Sequence, residues 1–154
     1  MKKKLLLWLV MSMALIVTGC RSDDGTNFSF SVNNKCDQND FVPEMDKNGS
    51  FYFPEEIIQY KATGNGTLLL KHLNALFSCE AKITVNTTIE DNTISIVEHG
   101  SNDTNCICPY DITMNIAPLN IGKYNVVVYY EEKELARFSI DYNTSLEGNC
   151  FIKR

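Results

Sequence analysis

The fold of this chain is decided by residues 82–98, which have the sequence KITVNTTIEDNTISIVE. Isoleucine and valine alternate with threonine, asparagine and serine in two runs, at residues 82–90 and 93–98. A period of two residues is typical of a strand that buries one face. Residues 90–92, Glu-Asp-Asn, are short and turn-prone. The stretch therefore predicts a β-hairpin.

The same alternation recurs in four other segments, at residues 28–32, 110–116, 124–130 and 135–142. The last two are separated by a short charged turn, so they predict a second hairpin. Val127 lies on the opposite face from its valine neighbours, which indicates burial on both faces of that strand. Several short strands closed by turns predict an all-β fold. We expect an antiparallel β-sandwich of about seven strands, immunoglobulin-like in kind.

Residues 54–77 are ambiguous. Pro54, Glu55 and Glu56 could begin a short helix, because proline and acidic side chains suit a first helical turn. Residues 67–77, TLLLKHLNALF, fit helical spacing and strand alternation about equally well. We expect a strand there, because the neighbouring segments are all predicted strands.

The first twenty residues have the order of a bacterial secretory signal. Residues 2–4 are lysines, residues 5–17 carry no charge, and the run ends in Val-Thr-Gly-Cys at residues 17–20. A transmembrane helix is disfavoured, since spanning needs about 20 apolar residues. The chain is thus divided into a signal peptide (1–19), Cys20 with a flexible tether (20–27) and a single domain (28–154).

A cysteine directly after glycine at the end of such a signal resembles the lipobox of bacterial lipoproteins, which are cut before the cysteine and acylated on it. The resemblance implies a membrane partner through lipid on Cys20, and several acyl chains hold a protein on a membrane stably. Arg21 replaces the Asp typical of lipoproteins retained at the inner membrane, so we expect the outer membrane. Asp23 and Asp24 leave surface display and a periplasmic orientation both open.

The net charge restricts the partners of the domain. The whole chain has a formal charge of −5, and residues 1–19 contribute three lysines and no acid, so the part from Cys20 onward has −8 (−5 − 3). An acidic domain is a poor ligand for nucleic acid or for anionic lipid headgroups. We therefore expect no nucleic-acid partner, and membrane contact through the lipid alone.

The cysteines predict disulfides, because an exported protein meets an oxidising compartment. Besides Cys20 the chain has five: Cys36, Cys79, Cys106, Cys108 and Cys150. Cys79 precedes the predicted hairpin and the Cys-x-Cys follows it, so Cys79 is expected to pair with Cys106 or Cys108. A pair between Cys36 and Cys150 is the second expectation, since sandwich termini often lie close together. One thiol is left over.

The sequence gives little sign of metal or catalytic chemistry. Cys79, the Cys-x-Cys and a histidine could in principle bind zinc, but the spacing differs from paired C-x-x-C sites. His72 lies among leucines and is expected to be half-buried and bonded to a carbonyl. His99 is expected in an exposed hairpin loop. Ser-His-Asp catalysis needs a nucleophile on a strained turn, and no G-x-S-x-G occurs. We expect no enzyme, no metal and no cofactor.

The motifs His72-x-Asn74-x-x-Phe77-x-Cys79 and Cys106-x-Cys108-x-Tyr110-Asp111 resemble those of uncharacterised small outer-membrane lipoproteins of Bacteroides-like bacteria. The likeness spans residues 68–142. It implies a compartment and a β-rich fold but no reaction, and it marks the region of the two motifs as one structural unit. Asp111 is expected to cap a turn there or to accept backbone hydrogen bonds.

These observations predict a non-enzymatic binding or interaction module that is lipid-anchored at the outer membrane. Its partner is an unknown protein or a glycan. The candidate surfaces are the loops at residues 37–48 and 99–105 and the aromatic residues Tyr52, Tyr60 and Tyr129. A structural or accessory subunit of an envelope assembly is the alternative, with a protease-inhibitor-like lipoprotein as a further one.

Overall fold

A computed structural model describes residues 27–37, 44–45, 47–49, 51–101 and 104–153. The expected signal peptide and Cys20 lie outside these residues. The described elements are all strands: β1 (Asn27–Asn34), β2 (Glu44–Met45), β3 (Phe51–Tyr52), β4 (Ile57–Ala62), β5 (Leu68–Ser78), β6 (Ile83–Glu90), β7 (Thr93–Gly100), β8 (Ile107–Ala117), β9 (Gly122–Tyr130), β10 (Lys133–Tyr142) and β11 (Glu147–Phe151). No helix within the described ranges is long and apolar enough to cross a membrane.

The long strands form two sheets that pack face to face. One has five strands in the order β1-β8-β5-β4-β11, and the other has four in the order β10-β9-β7-β6, while β2 and β3 form a separate small ribbon. The all-β prediction and the two-sheet architecture are confirmed. The strand count is higher than the expected seven, and the sheets are not purely antiparallel, because β7 and β9 run parallel.

Both predicted hairpins are present. β6 and β7 are joined by Asp91 and Asn92, which have φ angles of 46° and 61°. Two central residues with positive φ make the type I′ turn that matches the twist of a hairpin. β9 and β10 form the second hairpin. The short helix considered at Pro54 does not form, because residues 53–56 are irregular and β4 begins at Ile57.

The ambiguous segment at residues 67–77 lies in a strand, β5. A bulge within this strand changes which alternate side chains point into the core. Leu68, Leu70 and His72 are fully buried, and the register to β8 then shifts between His72 and Ala75. Asn74 in this bulge has a φ of 59°. One extra residue in a strand exchanges the two faces, so Phe77 points inward after it.

The core lies between the sheets and consists of their inward side chains. Its fully buried members include Ile58, Leu68, Leu70, Ile94, Ile96, Ile112, Met114, Ile116, Val126 and Val128. Aromatic contacts connect the two layers: Tyr60 of β4 stacks on Phe138 of β10 with ring centroids 5.1 Å apart. Val127 is 1% exposed on the other face of β9, which confirms the expected burial on both faces.

Candidate functional site

A histidine flanked by two carboxylates lies in the middle of the sandwich. His72 Nδ1 is 2.9 Å from both carboxylate oxygens of Glu98, and His72 Nε2 is 2.9 Å from Glu56 Oε1. His72 and Glu98 are fully buried, and Glu56 is 5% exposed. Since β5 and β7 belong to different sheets, the His72–Glu98 contact joins the two layers through polar atoms.

Strand periodicity places these three groups. Glu98 follows Ile94 and Ile96 at every second position of β7, so it points into the core as they do. His72 is the last inward residue of β5 before the bulge. Glu56 precedes β4, and its carbonyl accepts a hydrogen bond from the Ile152 amide. The carboxylates therefore approach the imidazole from opposite sides.

The surroundings of His72 make the imidazolium its favoured form. Burial lowers the pKa of a histidine, because the charged form loses its hydration. The charge of Glu98 and the hydrogen bonds to Glu56 and Glu98 together outweigh burial and raise the pKa of His72 to about 9. At neutral pH the ring is therefore a cation that donates one N–H to each carboxylate.

The expectation for His72 was wrong in its partner and its depth: the ring is fully buried and meets carboxylates rather than a carbonyl. The sequence did carry a signal, because Glu98 continues the inward positions of β7. A charge at an inward position needs a partner in the core, and His72 is the one available. With no exposed ring nitrogen, this group suits cross-linking of the sheets rather than contact with a substrate.

A second polar group surrounds the β5 bulge. The Asn74 amide N–H donates to Asp111 Oδ1 at 3.0 Å, and Lys35 Nζ lies 2.9 Å from the same oxygen. The Asn74 side chain donates to the Glu55 carbonyl at 2.7 Å. The expected role of Asp111 as a backbone acceptor is confirmed, and its partner is the residue with positive φ in the bulge.

Two disulfides lie side by side at one end of the sandwich. Cys79 pairs with Cys106, one of the two partners expected for it, and Cys36 pairs with Cys108. The expected Cys36–Cys150 pair was wrong, and Cys150 is the free thiol among the cysteines that the structure describes. The cause is sheet order: Cys36 follows β1 and Cys150 lies in β11, at opposite edges of the five-stranded sheet.

These disulfides also argue against the zinc site considered from the sequence. The sulfurs of Cys36, Cys79 and Cys108 lie within 4.8 Å of one another. Each belongs to a disulfide, whereas zinc binds thiolates. The tyrosine of the second motif completes this unit, because Tyr110 Oη donates to the carbonyls of Ser78 and Cys79. The cluster is a structural clamp between β1, β5 and β8.

The other predicted surface residues have mixed outcomes. His99 lies within β7 rather than in a loop, and its Nδ1 is 2.7 Å from Glu131 Oε2. Tyr52 exposes 64% of its surface, whereas Tyr60 packs on Phe138 and Tyr129 is half-buried. The three tyrosines therefore do not form a continuous aromatic platform. Much of the expected loop at residues 37–48 lies outside the described residues.

A surface that sequence reasoning missed runs along the edge formed by β1 and β6. Phe30 and Val32 pair in register with Met114 and Ile112, which are fully buried inward residues of β8. Phe30 and Val32 therefore point toward the opposite sheet, yet they remain 39% and 38% exposed. We call this apolar strip, with the neighbouring edge of β6, the seam.

Comparison with protein-family models, with curated proteins and with solved structures finds no match to this chain. The immunoglobulin-like kinship of the sandwich and the resemblance to Bacteroides-like lipoproteins both stay predictions.

Proposed function

We propose that this chain is a lipid-anchored, non-enzymatic binding module of the bacterial outer membrane. The observation that carries the proposal is the seam, where inward-facing apolar side chains of an edge strand lie open to solvent. Exposed apolar strips of this kind mark interaction sites in soluble domains. The lipobox resemblance at Cys20 supports the anchor, and the net negative charge of the domain disfavours attachment through anionic lipid headgroups.

The edge strands differ in how they are protected. Proteins usually block exposed edges with charged side chains or proline. β10 follows this rule, with Lys133, Glu134, Arg137 and Asp141 along its length. β1, NFSFSVNN, has neither charge nor proline, and β6 has a charge only at Glu90, its last residue. β11, the other edge of the five-stranded sheet, likewise has a charge only at Glu147. The contrast in protection therefore lies between β6 and β10, the two edges of the four-stranded sheet, and it favours β6 for a partner.

The disulfide clamp supports a preformed binding surface. Cys36 ties the chain after β1 to Cys108 of β8, and Cys79 lies shortly before β6. Lys35 N–H also donates to the Pro109 carbonyl, which holds the same end of β1. A surface that is fixed before binding loses less conformational entropy on association.

A lipid anchor on Cys20 predicts that replacing this cysteine releases the protein from the membrane. The Cys20→Ser variant is expected to leave the membrane fraction and to appear in the soluble fraction with an unchanged far-UV circular dichroism spectrum, because the lipid is the membrane contact. Cys150→Ser is the matched control and should stay with the membrane. A Cys20→Ser protein that still sediments with the outer membrane would contradict the anchor.

If the seam is the binding surface, a substitution on that face of β1 should abolish partner binding and a substitution on the opposite face should not. Phe30 points into the seam, whereas Ser31, its neighbour, points to the opposite face of β1. After cross-linking in intact cells, Phe30→Lys is expected to lose the species captured by the parent, and Ser31→Lys should keep it. Quantitative mass spectrometry of the two captures makes the comparison. If both variants capture the same set, the seam is not the binding surface.

A further inference from the structure

The two sheets differ in width by one strand. β1 is an edge of the five-stranded sheet, and β6 is the edge of the four-stranded sheet that lies near it. Phe30 and Val32 remain partly exposed, and no described strand lies beyond β6 on this side. A strand added to the outer edge of β6 would extend that sheet and cover more of both side chains.

The hydrogen-bonding groups of β6 suit such an addition. Glu90 and Thr93 flank a two-residue turn and are paired, so they form a hydrogen-bonded pair of the hairpin. Alternation then directs the N–H and C=O of Val85 and Thr87 away from β7. In the described part of the chain, that edge has no strand partner.

The buried hydroxyl of Thr87, which lacks a hydrogen-bond partner among the residues that the structure describes, also favours an added strand at β6. Thr87 pairs in register with Ile96, a buried inward residue, so its side chain points toward the seam. Its Oγ1 is inaccessible to solvent and lacks a hydrogen-bond partner within the described residues. Such groups are rare in folded proteins and call for an explanation. The oxygen is covered by protein in this structure, so an added strand would supply the missing partner once the Thr87 side chain rotates toward the outer edge of β6.

One end of the seam is acidic. A cavity of about 530 Å³ lies there, and its lining includes Val32, Ile83, Asp37, Glu80 and the ring of Tyr110. Burial raises the pKa of Tyr110, and the negative charges of Asp37 and Glu80 raise it further. Two carboxylates in this mixed polar and apolar lining are complementary to a basic side chain, whose aliphatic stem would contact Val32 and Ile83.

We propose that the seam binds an extended segment of another polypeptide, which pairs with the outer edge of β6, lays alternate apolar side chains on Phe30 and Val32, and places a lysine or arginine between Asp37 and Glu80. This mode is β-augmentation, in which main-chain hydrogen bonds give affinity and side-chain pockets give specificity. The inference rests on the proposed function and names its ligand.

The expected tether of this chain, which precedes β1, is a poor ligand for the seam in both apolar surface and charge. Residues 21–26, RSDDGT, contain no large apolar side chain and carry two acids together with Arg21. The net charge of the segment is therefore negative, which opposes Asp37 and Glu80 at the acidic end. A partner with alternating valine or isoleucine and one basic residue fits both the apolar strip and the charge.

The test uses synthetic peptides and the purified, disulfide-bonded domain. The probes are peptides of about eight residues, within the usual strand length, with valine and threonine alternating and arginine at either end. Matched probes replace the arginine with glutamate or insert proline at central positions. Binding is measured by fluorescence anisotropy, and amide hydrogen exchange of Val85 and Thr87 reports pairing at β6.

We expect an arginine-tipped peptide to bind and to slow exchange at Val85 and Thr87, and the proline probe to fail. Phe30→Lys should weaken binding by at least about thirtyfold, the size of a typical interface hot spot, and Ser31→Lys should not. Asp37→Asn with Glu80→Gln should remove the preference for arginine over glutamate. Equal binding of the proline probe, or binding unchanged in Phe30→Lys, would overturn the inference.

The two proposals fail in different ways. If no strand-like peptide binds while Phe30→Lys still loses its partner in cells, the chain is a binding module whose partner is not an extended strand. If Phe30→Lys also keeps its partner, the proposed function fails as well. Assembly of the domain into a dimer that Phe30→Lys abolishes would assign the seam to a second copy and overturn the peptide inference.

Discussion

Removal of the Cys36–Cys108 disulfide by Cys36→Ala with Cys108→Ala is expected to lower the free energy of unfolding by about 4 kcal/mol. The two residues are 72 positions apart, and the chain-entropy model assigns roughly that value to a loop of this length. Such a loss is a large part of the roughly 5–15 kcal/mol that typical domains have. Urea unfolding followed by far-UV circular dichroism measures it, since the chain has one tryptophan and that residue, Trp8, lies in the expected signal peptide, outside the domain.

Two further variants test the pairing itself. Cys79→Ala with Cys106→Ala opens a loop of 27 positions, so it should cost somewhat less, about 3–4 kcal/mol. Cys150→Ala should leave the unfolding midpoint nearly unchanged, because Cys150 is the free thiol. A large loss of stability in Cys150→Ala would instead indicate a Cys36–Cys150 bond and contradict the structure.

The second large effect is expected from Glu98→Gln. This change keeps the shape of the side chain and removes the carboxylate that faces His72 Nδ1 inside the core. Breaking one member of a buried ion pair costs about 3–5 kcal/mol, because the remaining charge stays buried. Glu131→Gln is the matched control, since Glu131 pairs with His99 in a partly exposed position. We expect the control to unfold at nearly the parent midpoint.

The pH dependence of stability gives an independent measurement of the same group. Histidine in an unfolded chain has a pKa near 6.5, and His72 has a pKa of about 9 when folded. Below about pH 6.5 both states hold the proton and the stabilisation is complete; it decreases as the pH rises and is lost above about pH 9. The interval between the two pKa values corresponds to roughly 3 kcal/mol. Glu98→Gln should flatten this decline, and a parent protein equally stable at pH 6 and pH 9 would contradict the assignment.

Much of the fold follows from local periodicity. The β6–β7 hairpin was predicted from alternation and the Asp-Asn turn, because both signals lie within a few residues of each other. The parallel pairing of β7 with β9 has no such local signal, since β8 intervenes in sequence and joins the other sheet. Sheet membership depends on packing between distant segments, which a single sequence does not display.

The β5 bulge shows where periodicity misleads. Leu68, Leu70 and Leu76 fit one alternating series in the sequence, yet the extra residue at Asn74 reverses the phase and turns Leu76 to the other face. The segment has leucine at both even and odd positions, so its pattern is compatible with either phase. The only local sign was an asparagine, a residue that accepts positive φ more readily than most.

The candidate site was predictable in part. The Cys79 pairing followed from its position beside the hairpin, but the Cys36 partner required knowledge of which strands lie at the sheet edges. His72 and Glu98 are 26 residues apart, and only the stacking of the sheets brings them together. The seam depends on one sheet being wider than the other, which is a property of the assembled sandwich and of no single segment.

The nesting of the two disulfides has a consequence for the order of maturation. The Cys79–Cys106 bond lies wholly within the loop closed by Cys36 and Cys108. Export from the N-terminus, which the lipobox resemblance implies, would present Cys36 and Cys79 to an oxidising compartment before either native partner has crossed. Oxidation in order of arrival would join these two, and thiol–disulfide exchange would then have to separate them. Native bonding would thus wait for β8, an inner strand of the five-stranded sheet, to arrive.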